Sequence, residues 1–277
     1  MRTFSVLLVF VLVFGLFAKS VSATESVYDR VIRTSTIRCG YITGAPYLMK
    51  DPKTGNISGI WYEYVEELGR QLGLKINWAE EVGLGDFPTA LDANRVDMMC
   101  VGLWVSPARA KATDFITPIT FQIVEAYVRA GDKRFDDKLE AINKKDVTVS
   151  CIDGEMAQSI AAEDFPKAKQ LCMPQLTPFA DMMLNLTSRK ADITFASPAA
   201  IRTFNAANPD KKLEKVKTSY PLRVFPESMP VKRGEEEFRR MIDHVTGFLL
   251  NTGKIETILH KYETESGGFH RVAKPYQ

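Results

Sequence analysis

One succession of strands and helices is written twice in this chain, and that repetition limits the fold more than any single motif does. In the first pass, residues 36–42 form a β-prone run that stops at the turn Thr43-Gly44-Ala45-Pro46. From Ile60 onward Tyr64, Val65, Leu68 and Leu72 recur at helical spacing, which predicts a helix over 60–72. A strand at 75–78 and a short helix at 87–93 follow, then a run at 96–103 too apolar for anything but a buried strand. The second pass reads strand 147–152, helix 155–162, strand 170–173, helix 179–188 and strand 192–196. The echo reaches individual residues: Leu91 stands six positions before Asp97, and Leu186 six before Asp192, each pair leading into a strand. Alternating strands and helices imply a parallel sheet covered on both faces, so two α/β units of about 100 residues are expected, an ordinary domain size. Residues 235–250 and 254–262 read as two closing helices separated by Gly253.

The start of the chain reads differently. Arg2, a stretch of 16 mostly apolar residues and then Val21-Ser22-Ala23 make residues 1–23 an expected secretory signal. A membrane span needs ~20 apolar residues, and no later stretch comes close. The signal holds Arg2 and Lys19 and no acid, so the remainder balances 34 Lys and Arg against 34 Asp and Glu. A nucleic-acid partner asks for a basic excess and is not expected. Apolar content of 45% and charged content of 25% are those of a globular protein, which excludes disorder, collagen and coiled coil. None of the four cysteines lies near Thr24, so no thiol offers a lipid anchor, and a freely diffusing periplasmic protein is expected. The histidines, His244, His260 and His270, fall in no metal-ligand spacing; neither a metal nor a cofactor is expected.

Several segments carry a family resemblance. They are Ile37-Arg38-Cys39-Gly40-Tyr41 with Ala45-Pro46-Tyr47; Thr54-Gly55 to Gly59; Ala90-Leu91 to Arg95-Val96-Asp97; and Ser106-Pro107-Ala108-Arg109-Ala110-Lys111 into Asp114-Phe115. In this order they resemble bacterial extracellular solute-binding proteins of the amino-acid type (family 3), the periplasmic receptors of ABC importers. The resemblance implies a two-lobed type II periplasmic binding protein fold, each lobe a mostly parallel sheet flanked by helices. Residues 24–124 and 226–277 would form lobe one and 125–225 lobe two, with crossings near 122–127 and 221–226. It also implies ligand capture in the cleft by hinge closure, an ABC permease as partner, and a monomer.

Arg109 is the strongest candidate site residue. Ser106 and Pro107 make a good N-cap and first helical position, which puts Arg109 in a first turn, where a guanidinium forms a bidentate carboxylate clamp. In the family this arginine grips the ligand's carboxylate. Gly102 and Trp104 flank the same strand end; where relatives often carry a hydroxyl residue, Trp104 offers a backbone N–H and an indole. Tyr47 and Trp61 stand where the family lines its cleft with aromatics, although both also suit a core. Glu155 follows Asp153-Gly154 at a helix start, as a dipole-matching cap or as a ligand counter-charge. Ser197, or its neighbour Ala196, stands where amino-acid binders place the aspartate that holds the ligand's ammonium. Either Glu155 supplies that charge or the ligand lacks an α-ammonium, because a buried ammonium without a partner is costly.

The cysteines fall two per implied lobe. Cys39 with Cys100 and Cys151 with Cys172 sit on strands that should be neighbours, and an oxidising compartment permits both bridges. Parallel neighbours are awkward for disulfide geometry, so two buried thiols remain the other reading, above all for Cys39 and Cys100. The expected function is delivery of a small carboxylate-bearing ligand to an ABC importer, with no enzyme activity. Two rivals stand beside it: a two-lobed partner or sensor protein without a transported solute, and a periplasmic dehydratase-like enzyme, for which Glu155 is the one cleft acid to name.

Overall fold

The computed structural model describes residues 25–263 and 269–273; the expected signal at 1–23 lies outside them. A first sheet runs in the order Lys75–Glu81, Thr36–Tyr41, Met98–Met99, Pro230–Lys232, Thr113–Phe115. Its first three strands are parallel, and the last two add antiparallel pairs. The second sheet runs Lys169–Met173, Thr148–Ile152, Ile193–Ala196, Thr120–Arg129, Arg223–Ser228, Leu103–Trp104, with Leu213–Lys215 and His270–Arg271 also on the long strand Thr120–Arg129. Here too a parallel trio is extended by antiparallel strands. Both sheets are therefore mixed rather than mostly parallel, because segments that pass from one lobe to the other return against the direction of the trio they join. Among the described residues no helix is long and apolar enough to cross a membrane.

The core is divided in the same way. One cluster gathers Trp61, Tyr64, Leu68, Phe87, Leu91 and Phe238. A separate one gathers Val149, Ile160, Phe165 and Phe195, with Tyr127, Met183 and Phe204 in a satellite beside it. Helix Ile60–Leu72 buries the face that its spacing marks, Tyr64, Val65 and Leu68, and stops at Gly73 in the left-handed conformation. Each disulfide stays within one cluster: Cys39–Cys100 at a Cα separation of 5.3 Å, and Cys151–Cys172, directly opposite in parallel register, at 4.3 Å. The two-thiol reading of Cys39 and Cys100 is thereby corrected: Cys100 directly follows the paired strand Met98–Met99, its N–H donating to the Gly40 carbonyl at 2.8 Å, which holds it beside Cys39.

The apolar run at 96–103 is not one strand. It breaks into Met98–Met99 and Leu103–Trp104, which join different sheets. At the break Gly102 passes directly over the Trp61 indole, and a Cβ there would fall 1.9 Å from a ring carbon. Helices Val27–Thr34 and Pro198–Ala207 add to the expected elements: Ser26 and Ser197 cap them, and the first buries Val27 and Val31, one turn apart.

The echo between the two halves is a repeated structural device. Asn94 and Arg189, each three residues past the paired leucine, take positive φ and end their helices in the same way. Asp97 then accepts the Arg38 N–H at 2.6 Å while its own N–H donates to the Arg38 carbonyl at 2.8 Å. Asp192 does the same with Thr148, at 2.9 and 2.8 Å. Each aspartate is also paired with arginine, Asp97 with Arg30 and Arg38, Asp192 with Arg134. Asp97 is fully buried, so removing its carboxylate leaves two guanidinium groups without their partner. Asp97→Ala is expected to lower stability by about 3 kcal/mol, read as a shifted midpoint in urea unfolding.

Candidate functional site

A cleft of about 120 Å³ lies between the two lobes, at the carboxyl ends of the parallel strands. Open α/β sheets place ligands at that end. Its first wall begins where strand Thr36–Tyr41 runs into the turn at 43–48, which carries Tyr47 inward. The Tyr47 hydroxyl donates to Ser197 Oγ at 3.3 Å and accepts from the Gln122 amide. Burial and the nearby Glu227 carboxyl push the Tyr47 hydroxyl well above the usual phenol range. Trp61, 1% exposed, is the floor under Gly102, and it serves the core and the cleft at once. Trp104 stacks on Phe225 with ring centroids 5.3 Å apart.

Arg109 stands at the third position of the short helix Pro107–Ala112. Its backbone N–H donates to the capping Ser106 Oγ at 3.3 Å. The guanidinium turns into the cleft over the Phe87 ring, 5.6 Å from its centroid. Nη1 donates to the Trp104 carbonyl at 2.9 Å and Nη2 to the Gly154 carbonyl, on the opposite wall, at 3.0 Å. Two of its five donors thus tie the lobes together through backbone oxygens. Burial lowers its pKa, against the pull of Glu155, but an arginine remains a cation.

The opposite wall starts at Gly154, whose φ of 78° is left-handed and whose missing Cβ would meet Gly85 N at 2.7 Å. Only glycine lets the two loops close to this distance. Beside it the Gln175 side chain accepts from Gly85 N at 2.7 Å. Glu155 caps helix Met156–Asp164, its carboxylate accepting the Ala157 N–H at 2.5 Å. Burial raises its pKa to about 7, with the backbone donors and Arg109 pulling it down. Ser197 caps helix Pro198–Ala207, accepting from Ala200 N at 3.3 Å. Met156, Phe179, Met182, Met183 and Phe195 give this wall an apolar surface, and Phe179 packs against both lobe cores.

The cleft thus brings Tyr47, Trp61, Gly102, Trp104, Arg109, Glu155 and Ser197 together, while the four cysteines lie in the cores behind it. It also holds a carboxyl that sequence reasoning missed. Glu227, on strand Arg223–Ser228, is the register partner of Trp104 and is buried in the cleft lining. Burial raises its pKa to about 8, with the Trp104 side chain pulling the other way. The signal was an acid inside the apolar, proline-flanked stretch Val224-Phe225-Pro226-Glu227-Ser228-Met229-Pro230. Among the described residues no three His, Cys, Asp or Glu side chains converge as a metal site requires.

Residues 37–265 match the family model for bacterial extracellular solute-binding proteins, family 3, and the chain belongs to that family. It is 27% identical over 122 residues to the L-cystine-binding protein of Escherichia coli K12, covering 44% of this chain and 45% of that relative. The match thus spans under half of the relative's own length. The cysteine-binding protein of Campylobacter jejuni superposes with a TM-score of 0.75 at 18% identity, covering 90% of this chain and 97% of the other. An ancestral amino acid-binding protein, a precursor of cyclohexadienyl dehydratase, gives 0.74 at 22% identity, covering 86% and 99%. These superpositions establish a shared two-lobed fold.

Glu227 links stability to pH. Its folded pKa lies above its ordinary value of 4.5, so the folded state binds the extra proton and its ionisation opposes folding. This cost is absent below pH 4.5 and grows as pH rises toward about 8. Glu227→Gln is expected to gain stability on the wild type across that window, as measured by urea unfolding at pH 4.5, 6.5 and 8.5. A difference that does not change with pH would refute the assignment.

Proposed function

We propose that this protein is a periplasmic receptor that captures a small carboxylate-bearing ligand of the amino-acid class between its lobes and delivers it to an ABC importer. The observation that carries the reading is the Arg109 guanidinium, aimed into an enclosed cleft and bonded to backbone carbonyls of both walls. A carboxylate entering the cleft offers that cation a stronger, charge-assisted partner than either carbonyl. Family membership and relatives described as binding cystine, cysteine and amino acids support the class of ligand.

On this reading the described residues of 24–124 and 226–277 form one lobe and those of 125–225 the other, divided at the crossing strands. Closure about those strands is driven by contacts that a ligand makes better with both walls than with one. The closed surface is what the permease reads, and a monomer suffices for that role. Capture rather than turnover is assigned to the cleft on the strength of family membership, and Glu155, the acid named for an enzyme reading, caps its own helix.

Mature protein, refolded to strip co-purified solute, is expected to show a raised Tm with a member of a panel of amino acids, amines and simple carboxylates. A ligand at 100 times its Kd adds ~2.7 kcal/mol. Arg109→Ala is expected to weaken binding by about 3 kcal/mol or more, because the ligand's charge is then buried alone. Equal affinity in the variant, measured by calorimetry, would overturn the reading.

A further inference from the structure

Of the charged side chains in the cleft, Glu227 is the one whose carboxylate has an oxygen without work. The residue is 4% exposed, its Oε2 has no hydrogen-bond partner, and it lines the same cavity as Arg109. A buried carboxylate in that position is costly unless a cation or donors meet it. The other candidates for a cationic group are committed elsewhere. Ser197 carries no charge, and its hydroxyl already serves Ala200 N and the Tyr47 hydroxyl. Glu155 accepts from the backbone of its own helix and lies within the field of Arg109, which favours holding an anion there rather than a cation.

Resting on the capture reading above, we infer that Glu227 receives the ligand's ammonium group, so that the ligand is a zwitterion held between Arg109 and Glu227. Trp104 sets the spacing. Its carbonyl accepts from Arg109 Nη1, and it is the register partner of Glu227 across the antiparallel pair. Directly opposed residues of such a pair project their side chains to one face, Cβ atoms about 5 Å apart. The guanidinium and the carboxylate therefore flank a single residue, which brings them to one place in the cleft, as a ligand carrying its carboxylate and its amine on the same carbon requires. The groups that share Glu227's surroundings agree with this role. Tyr47 approaches from the turn after the first strand, feels the Glu227 charge and offers a phenol in place of a competing cation. Arg202, on helix Pro198–Ala207, pulls the Tyr47 hydroxyl the other way. When the cleft is empty, burial keeps Glu227 protonated near neutral pH, so an arriving ammonium displaces a proton and leaves an ion pair in its place. Both charged ends of the ligand are thus gripped by the wall and the crossing strand. The second lobe is left to cover the ligand with the apolar surface of Phe179, Met182 and Met183.

The test uses two probe pools in thermal unfolding of the refolded mature protein: the common L-α-amino acids together with L-cystine, and the corresponding carboxylates lacking the α-amine. The binding compound is then titrated calorimetrically against the wild type and Glu227→Gln. Stabilisation by the amino-acid pool, with affinity about 100-fold lower in Glu227→Gln and the preference over the amine-free analogue abolished, is the expected result. If Glu227→Gln does not fold, Glu227→Leu, which also removes the charge without adding a polar group, is read in its place. Amino-acid binding with equal affinity in wild type and variant would overturn the role of Glu227 while leaving the capture reading intact. Stabilisation by the amine-free pool alone would overturn the zwitterion, and silence with both pools would overturn the capture reading and this inference together.

Discussion

A guanidinium shared between two backbone carbonyls on opposite walls is the interaction around which this cleft is organised. Holding a cation away from water requires that its surroundings be fixed before any ligand arrives. Ser106 and Pro107 fix where its helix begins, the antiparallel pairing of Leu103–Trp104 with Arg223–Ser228 orients the Trp104 carbonyl, and the left-handed turn at Gly154 presents the other oxygen. Each of these is a backbone constraint, so the site's geometry is fixed by how the chain folds more than by which side chains line it.

The crossing strands transmit that geometry between the lobes. Thr120–Arg129 and Arg223–Ser228 pair over five residues, and the second sheet runs through them to Leu103–Trp104 without a gap. The hydrophobic clusters on the two sides are nevertheless separate, and each holds its own disulfide. A continuous hydrogen-bonded ladder joining two independent cores can bend as a unit while each core keeps its packing. Phe179, in contact with both clusters, is the exception, and it sits where the walls meet.

Much of this was legible in the sequence, and the misses have definite causes. Helices Ile60–Leu72 and Lys254–Tyr262 fell where their apolar spacing put them, because amphipathic periodicity is a local property. The spacing of Leu91 to Asp97 and Leu186 to Asp192 was visible as a pattern, yet its meaning, two main-chain bonds to a neighbouring strand, needed the sheet. The break in the apolar run at 96–103 was hidden, because it depends on Trp61 lying beneath Gly102, far off in the chain. Glu227 was passed over for a similar reason. Two residues past Phe225, it shares that ring's face of the strand, and only the pairing with Trp104 shows that this face is turned into the cleft. The departures at Ser197 and Glu155 were legible as departures, but the residue that answers them lies in a distant segment.

Both aspartate locks lie at the amino ends of their strands, Asp97 just before Met98–Met99 and Asp192 just before Ile193–Ala196, while the cleft opens at the carboxyl ends. Rigidity and recognition therefore occupy opposite ends of the same sheets. Residues at the mouth can be exchanged without touching the ion pairs that keep each lobe in register, so ligand choice is free to drift over generations on a frame that does not have to be rebuilt each time.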